Sequence, residues 1–304
     1  TNKDNVSAKI TNNEQVVASI NKDDITADDL YDESTPYDGS TIYNMYKNAV
    51  IDQSIKTTKD LKKQASTLES NIKSNASNQS DDYESTLTTE LAKYGYASYE
   101  ELNDYCLTSV KEKEMNKKYI TKHFDEVKKA WEEKSPRTVS IIKMDVSDAD
   151  NLTETETKKK SNIDKALEKE SFADVAKAFS EDSNTANKNG FAGYVDSNST
   201  SSDSSSTSTV PADVVTAAIG LKKGETSDWI TVTSSSGTSL YKVYVKETNS
   251  KKIFNAKSDT VSNQALYAIL NSDSSLSYKI LDSYAKKLDI KFNDKDTKKK
   301  FDSY

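Results

Sequence analysis

Phe172-Ala-Asp-Val-Ala-Lys-Ala-Phe-Ser-Glu-Asp182, with Thr185-Ala-Asn-Lys-Asn-Gly-Phe-Ala-Gly-Tyr194 close behind it, is the stretch on which the fold turns. In the first segment Phe172, Val175, Ala176 and Phe179 recur at helical spacing, and Ile163, Ala166 and Leu167 extend the same apolar face into a preceding helix. The second segment is a loop rich in Asn and Gly. Upstream, Thr138-Val-Ser-Ile-Ile-Lys-Met144 is β-branched and suits a strand. Downstream, 214–221 reads as a short helix, and Asp228-Trp-Ile-Thr-Val232 and Leu240-Tyr-Lys-Val-Tyr-Val245 read as strands. This βααβαββ-like order predicts a small α+β domain. Within it, the run from Asp196 to Thr209 is almost wholly Ser, Thr, Asp and Asn, too polar to order itself by burial.

The flanks read differently. Five of seven glycines lie between residues 137 and 247, whereas 40–135 hold only Gly95 and no proline. Gln15-Val-Val-Ala-Ser-Ile20 suits a strand and Asn21-Lys-Asp-Asp24 a turn, after which Thr26 and Asp29 resemble a capping box for a helix through Leu30 and Tyr31. Ile42, Met45, Tyr46, Ala49 and Val50 predict a helix with one apolar stripe; Leu61, Leu68 and Ile72 predict another with a thinner stripe. Gly95 suits a helix C-cap, and Ser98-Tyr-Glu-Glu101 a capping box opening a long helix through Leu102, Tyr105, Cys106 and Val110. Phe124, Val127 and Trp131 continue helical periodicity to Ser135-Pro136, where proline favours a boundary. Two further stripes follow, Val261, Ala265, Leu266, Ile269, Leu270 and Leu276, Ile280, Leu281, Tyr284, Leu288, which need the N-terminal helices to bury against.

Composition sets outer bounds. At 304 residues the chain exceeds one ordinary core, and 34% hydrophobic with 30% charged residues favours amphipathic helices in an open shape. A net charge of −7, with lysines interleaved among acids, argues against nucleic acid as a partner. One cysteine (Cys106) and one histidine (His123) exclude an intramolecular disulfide, the usual zinc ligand sets and histidine-dependent triads, so neither a metal nor a cofactor is expected. No apolar run approaches the roughly 18 residues of a membrane span. The start at Thr1 without Met leads us to expect that a targeting segment has been removed.

The central motifs also carry a resemblance. Phe172–Asp182 is similar to the parvulin stretch "DFA-x-LA-x-x-(Y/F)-S-x-D", and Thr185–Tyr194 to "SA-x-x-GGDLGW". Val210-Pro211 with Ala217-Ala-Ile-Gly-Leu-Lys-Lys-Gly-Glu-Thr-Ser227 resembles "PEF-x-x-A-x-F-x-LK-x-GE-x-S". With Val16-Val-Ala-Ser-Ile-Asn-Lys-Asp-Asp-Ile-Thr26 and Ile290-Lys-Phe-Asn-Asp-Lys-Asp296 at the two ends, the whole chain resembles the PrsA-type extracytoplasmic foldases of Gram-positive bacteria, relatives of SurA. The resemblance implies a mostly helical chaperone domain built from 1–136 and 248–304, with a parvulin-like (FKBP-like) α+β domain, 137–247, inserted into it.

Departures from the family pattern bear on chemistry. Aligned on these motifs, Ser140 stands at the histidine of "SHIL" and Tyr241 at the histidine of "YHIIK", while Asp182 keeps a residue type of the family's network. Prolyl isomerisation breaks no bond; its barrier of about 20 kcal/mol is the lost amide resonance, so a catalyst must favour the twisted amide selectively. Without an imidazole pair, the domain is expected to be weak or inactive as an isomerase, and whether the chain is an enzyme stays open. Val210, Val214 and Ile219 occupy the implied proline pocket, with Val in place of the family's Met and Phe, and Phe191 replaces the Asp of "GGDLG". The plainer readings are a turn residue at Asp182, ordinary strand residues at Ser140 and Tyr241, a solvated His123 and a small buried side chain at Cys106.

The expected function is a foldase that binds unfolded exported proteins, held at the outer face of the cell membrane by a lipid anchor on the precursor, or secreted. A homodimer through the helical domain is compatible with the family. An active isomerase and a non-catalytic structural surface protein are the alternatives.

Overall fold

The computed structural model describes residues 9–11, 14–20, 23–26, 39–200, 209–288 and 295–302. The expected helix through Leu30 and Tyr31, residues 201–208 of the Ser/Thr/Asp run and most of the closing segment 290–296 lie outside them. The chain divides into two compact units, Thr1–Met115 with Lys279–Tyr304, and Asn116–Tyr278. Neither boundary coincides with the expected junctions at Pro136 and residue 247.

The first unit opens with an antiparallel meander, β1 (Lys9–Thr11), β2 (Glu14–Ile20) and β3 (Asp23–Thr26), in which Ile20 pairs with Asp23. Thr26, expected as a helix cap, is the last residue of β3, and the residues that would follow it in a helix lie outside the described ones. In α1 (Gly39–Ser54) the buried stripe is Ile42, Val50 and Ile51. Met45, expected in that stripe, is 43% exposed and passes over the backbone at Gly95. Helical spacing left several faces open, and the neighbouring elements selected one.

α2 (Lys59–Ser77) starts where Thr58 Oγ1 accepts from Leu61 N at 3.2 Å, and it buries Leu61 and Ala65, while Leu68 and Ile72 of the expected stripe are only half-buried. α3 (Tyr83–Ala92) ends at Gly95, whose φ of +84° lets Tyr96 N donate back to Leu91 O at 3.1 Å. Glu101 Oε2 then accepts from Ser98 N at 3.0 Å, as the capping box predicts, and α4 (Leu102–Lys122) buries Leu102, Cys106 and Val110 along one face.

In the second unit α5 (Phe124–Glu132) precedes a four-stranded antiparallel sheet of β4 (Arg137–Val146), β5 (Phe191–Val195), β6 (Ile230–Ser234) and β7 (Gly237–Glu247), ordered β5-β4-β7-β6. Between strands run α6 (Glu154–Leu167), α7 (Phe172–Phe179) and α8 (Ala212–Ile219), giving the strand and helix order expected from sequence. Strand alternation divides the core into two layers. Val139, Ile141, Tyr241, Val243 and Val245 pack with Val195, Val210 and the Val214, Val215, Ala218 face of α8. Ile142, Met144, Val146 and Leu240 pack on the other side with Ile163, Phe172, Val175 and Ala176 of α6 and α7.

The polar run orders further than its composition suggests. Asp196 is buried, and residues 197–200 form a short 3-10 turn. After β7 come α9 (Ser250–Phe254) and α10 (Asp259–Ser272), then α11 (Leu276–Ala285) and α12 (Lys295–Asp302), the last lying against α1. Among the described residues no helix is long and apolar enough to cross a membrane.

Candidate functional site

β4 and β7 run antiparallel at the centre of the sheet, with Ser140 opposite Tyr244, Ile141 opposite Val243 and Lys143 opposite Tyr241. Directly paired residues share a face, and successive residues alternate. Ser140 thus lies on the face of Tyr244, covered by α6 and α7, while Tyr241 lies on the face covered by α8. The two positions read as a residual pair from the sequence are on opposite sides of the sheet. Val139, Ile141, Lys143 and Asp145 are the β4 residues on Tyr241's face. Period-two alternation together with the register between β4 and β7 would have found them, but a register between strands about a hundred residues apart is not written in either strand.

Asp182 does approach Tyr241. It lies in the turn after α7, where Thr185 Oγ1 donates to its Oδ2 and Thr185 N and Ala186 N donate to its carbonyl at 3.2 and 2.9 Å. That turn is tied to β4 because Glu181 N donates to Lys143 O at 2.9 Å, and Lys143 N to Ser180 Oγ at 3.1 Å. Downstream, Gly190 O accepts from Ile141 N at 2.8 Å. Asp182 so works as a turn anchor, and its charge also reaches the group around Tyr241.

Burial pushes the Tyr241 hydroxyl above the ordinary phenol value; the Lys143 ammonium opposes this, and the carboxylates of Asp182 and Asp145 reinforce it. The hydroxyl is therefore neutral near pH 7, a hydrogen-bond donor and no base. Lys143 Nζ sits 2.9 Å from Asp145 Oδ1, and that hydrogen bond raises its ammonium above the usual lysine value against the effect of burial. Ser239 Oγ donates to the same Asp145 oxygen at 2.7 Å. The arrangement can donate hydrogen bonds and hold charge.

The residues expected to line a proline pocket lie in the sheet's packed layer. Val214 is fully buried and Val210 nearly so, both in the layer that holds Tyr241, and Ile219 packs at its edge. α8 is held there by a buried arginine: the Arg137 guanidinium donates to Leu221 O at 2.8 Å and to Ala218 O, adding side-chain donors at the C-terminal end of the helix. Desolvation lowers the Arg137 pKa from the ordinary value. Phe191, in place of the family's Asp, has Lys246 Nζ 5.0 Å above its ring.

His123 is far from this chemistry in sequence and role. It stands at the start of α5, stacked on Tyr119 at 4.4 Å between ring centroids and 3.6 Å from Glu126 Oε2. Cys106 is buried in the first unit, where burial pushes its thiol up to about 11. Among the described residues no group of three or more His, Cys, Asp or Glu side chains is placed to hold a metal.

Residues 141–244 match the family model of the rotamase, or PPIC-type PPIase, domain. The chain is similar to the crystal structure of PrsA from Bacillus subtilis at 22% identity, covering 95% of this chain and 99% of that one, with a TM-score of 0.45. It is likewise similar to the foldase protein PrsA from Streptococcus pneumoniae at 22% identity, covering 94% and 98%, with a TM-score of 0.41. A SurA-like chaperone of Campylobacter jejuni follows at 15% identity, 91% and 99% coverage and a TM-score of 0.26. No curated protein sequence matches the chain. The family match, over about a third of the chain, makes the segment 141–244 similar to the PPIC-type PPIase, or rotamase, domain.

Proposed function

We propose that this protein is an extracytoplasmic folding factor that holds unfolded exported proteins and assists their folding, and that its rotamase domain is weak or inactive as a prolyl isomerase. The observation that carries the second half is the occupancy of the face around Tyr241. Taking Ser140 as the serine of the family's "SHIL" places Ile141 at the histidine position, on the same face as Tyr241. On either alignment no imidazole is present. The positions of the proline pocket, Val210 and Val214, are packed against their neighbours, leaving little room for a client's proline ring.

We also propose an architecture, a location and an assembly. Residues 1–136 and 248–304 form the helical chaperone part and 137–247 the parvulin-like insertion; a lipid anchor on the precursor holds the protein at the outer membrane face; a homodimer forms through the helical part. Support comes from the motifs in family order and from the family match over 141–244.

Two measurements test the proposal. In a protease-coupled assay with an X-Pro peptide, the full chain should not shorten the uncatalysed isomerisation, which takes tens of seconds. A clear acceleration would establish the active-isomerase alternative instead. In parallel, the chain should suppress aggregation of a reduced, unfolding client at near-stoichiometric amounts; no effect at excess chain rejects the chaperone reading in favour of a structural surface protein.

A further inference from the structure

The first compact unit concentrates aromatic and acidic residues in a way that neither the rotamase domain nor core packing explains. Between Asp81 and Asp104 the sequence holds seven acidic residues and one lysine, and Tyr83, Tyr94, Tyr96, Tyr99 and Tyr105 fall in or beside the same stretch. The rings gather in two groups. Tyr105 meets Tyr94 and Tyr96 at centroid distances of 5.3 and 5.9 Å, and Tyr83 meets Tyr99 edge-on at 6.1 Å. Tyr94 is 36% exposed, and Met45, also exposed, flanks it over Gly95. Asp81, Asp82, Glu84, Glu100 and Asp104 face solvent, while the stretch's one cation, Lys93, is paired with Glu90 at 2.7 Å.

We infer that this tyrosine and carboxylate surface docks basic stretches of unfolded polypeptide, lysine- or arginine-rich with an apolar neighbour. The inference rests on the chaperone reading and names the class of client segment. An aromatic face attracts an ammonium or guanidinium within about 6 Å of its centroid, and surrounding carboxylates extend that attraction to longer range. The chain already makes one such contact with itself: Lys73 Nζ lies 5.1 Å from the Tyr99 centroid, with Glu69 Oε1 at 2.7 Å on the same ammonium. Asp52 and Asp104 also lie close enough to Tyr96 to add to the rise that burial imposes on its hydroxyl. An acidic segment meets repulsion there, and a wholly apolar one leaves the carboxylates without a partner. Met and Tyr side chains re-pack readily, which suits clients of varied sequence.

The test uses the full chain and three dye-labelled peptides of equal length, a Lys/Tyr repeat, its Glu/Tyr counterpart and a Ser/Tyr control, followed by fluorescence anisotropy. The Lys/Tyr peptide should bind at least about tenfold more tightly than the Glu/Tyr peptide, with the advantage shrinking as ionic strength rises from about 0.05 to about 0.5 M. Tyr94→Ala, and Asp104→Asn combined with Glu84→Gln, should each weaken Lys/Tyr binding about threefold or more; the carboxylate pair is exposed and should leave the melting curve unchanged, which separates lost docking from the lost Tyr94–Tyr105 packing. Equal binding of the acidic peptide, or Lys/Tyr affinity indifferent to these variants, overturns the inference. Aggregation of an acidic unfolded client reads the chaperone function separately. If the wild-type chain suppresses it while showing no preference for the basic peptide, the docking inference fails and the chaperone reading stands.

Discussion

Trp131 and Tyr194 are joined inside the second unit by a hydrogen bond from the indole Nε1 to the phenol oxygen, 2.8 Å long, between near-parallel rings. The Tyr194 hydroxyl in turn donates to Asp196 Oδ2 at 2.5 Å, and Asp196 Oδ1 accepts from Asn198 N at 2.8 Å. The relay ties α5 to β5 and to the turn that follows, and all three side chains are buried. It also places Trp131 in the same compact unit as Trp229, not in a separate one.

Tyr194→Phe leaves a buried indole donor and a buried carboxylate each short of a partner, so it should cost on the order of 1–3 kcal/mol in denaturant unfolding. Burial raises the Tyr194 hydroxyl pKa, with the Asp196 charge adding to the rise. A folded pKa above the unfolded value of about 10 means that this group's stability is complete below pH 10 and is lost as pH climbs beyond it. The wild-type chain should therefore lose stability above about pH 10 more steeply than the Phe variant. Parallel stability curves for the two would remove Tyr194 from the account.

Gly190 has a φ of +79°, and a Cβ there would come within 2.6 Å of Ala176 Cβ and 2.7 Å of Ile141 O. Both neighbours belong to packed elements, so neither can give way. Gly190→Ala should destabilise the second unit by roughly 2–4 kcal/mol, from left-handed strain and overpacking together. Tryptophan fluorescence in urea reads that unit, and an unchanged midpoint would contradict the close approach.

Cys106 is buried in the first unit, with its thiol raised to about 11, so the reactive thiolate is scarce and shielded. A disulfide reagent at pH 8 should label the native chain at least about a hundredfold more slowly than the chain in denaturant. Cys106→Ser should cost about 1–2 kcal/mol by burying a hydroxyl. Fast native labelling would show that α4 opens readily.

The register of β4 against β7 predicts which histidine pair rebuilds the family arrangement. Ile141→His with Tyr241→His puts two imidazoles on one face, on adjacent strands; Ser140→His with Tyr241→His puts them on opposite faces. Only the first pair should raise peptide isomerisation, by about tenfold or more over the unsubstituted chain. Circular dichroism must accompany both, because an imidazole at Ile141 enters a packed layer. Gain of activity in the Ser140 pair alone would reverse the assignment.

Much of the molecule was legible before any coordinates. Helical spacing at Phe172–Phe179, β-branching at 138–144 and the turn residues between them yield the element order of the rotamase domain, because each depends only on residues a few positions apart. The capping box at Ser98 with Glu101 is local in the same sense. Tertiary structure alone decided which face of α1 is buried, that Asp196 is drawn into a buried relay by Tyr194, and that Ser140 and Tyr241 look away from each other. Those outcomes depend on pairings between segments tens to a hundred residues apart, where a one-residue slip in register turns every side chain to the opposite side of the sheet.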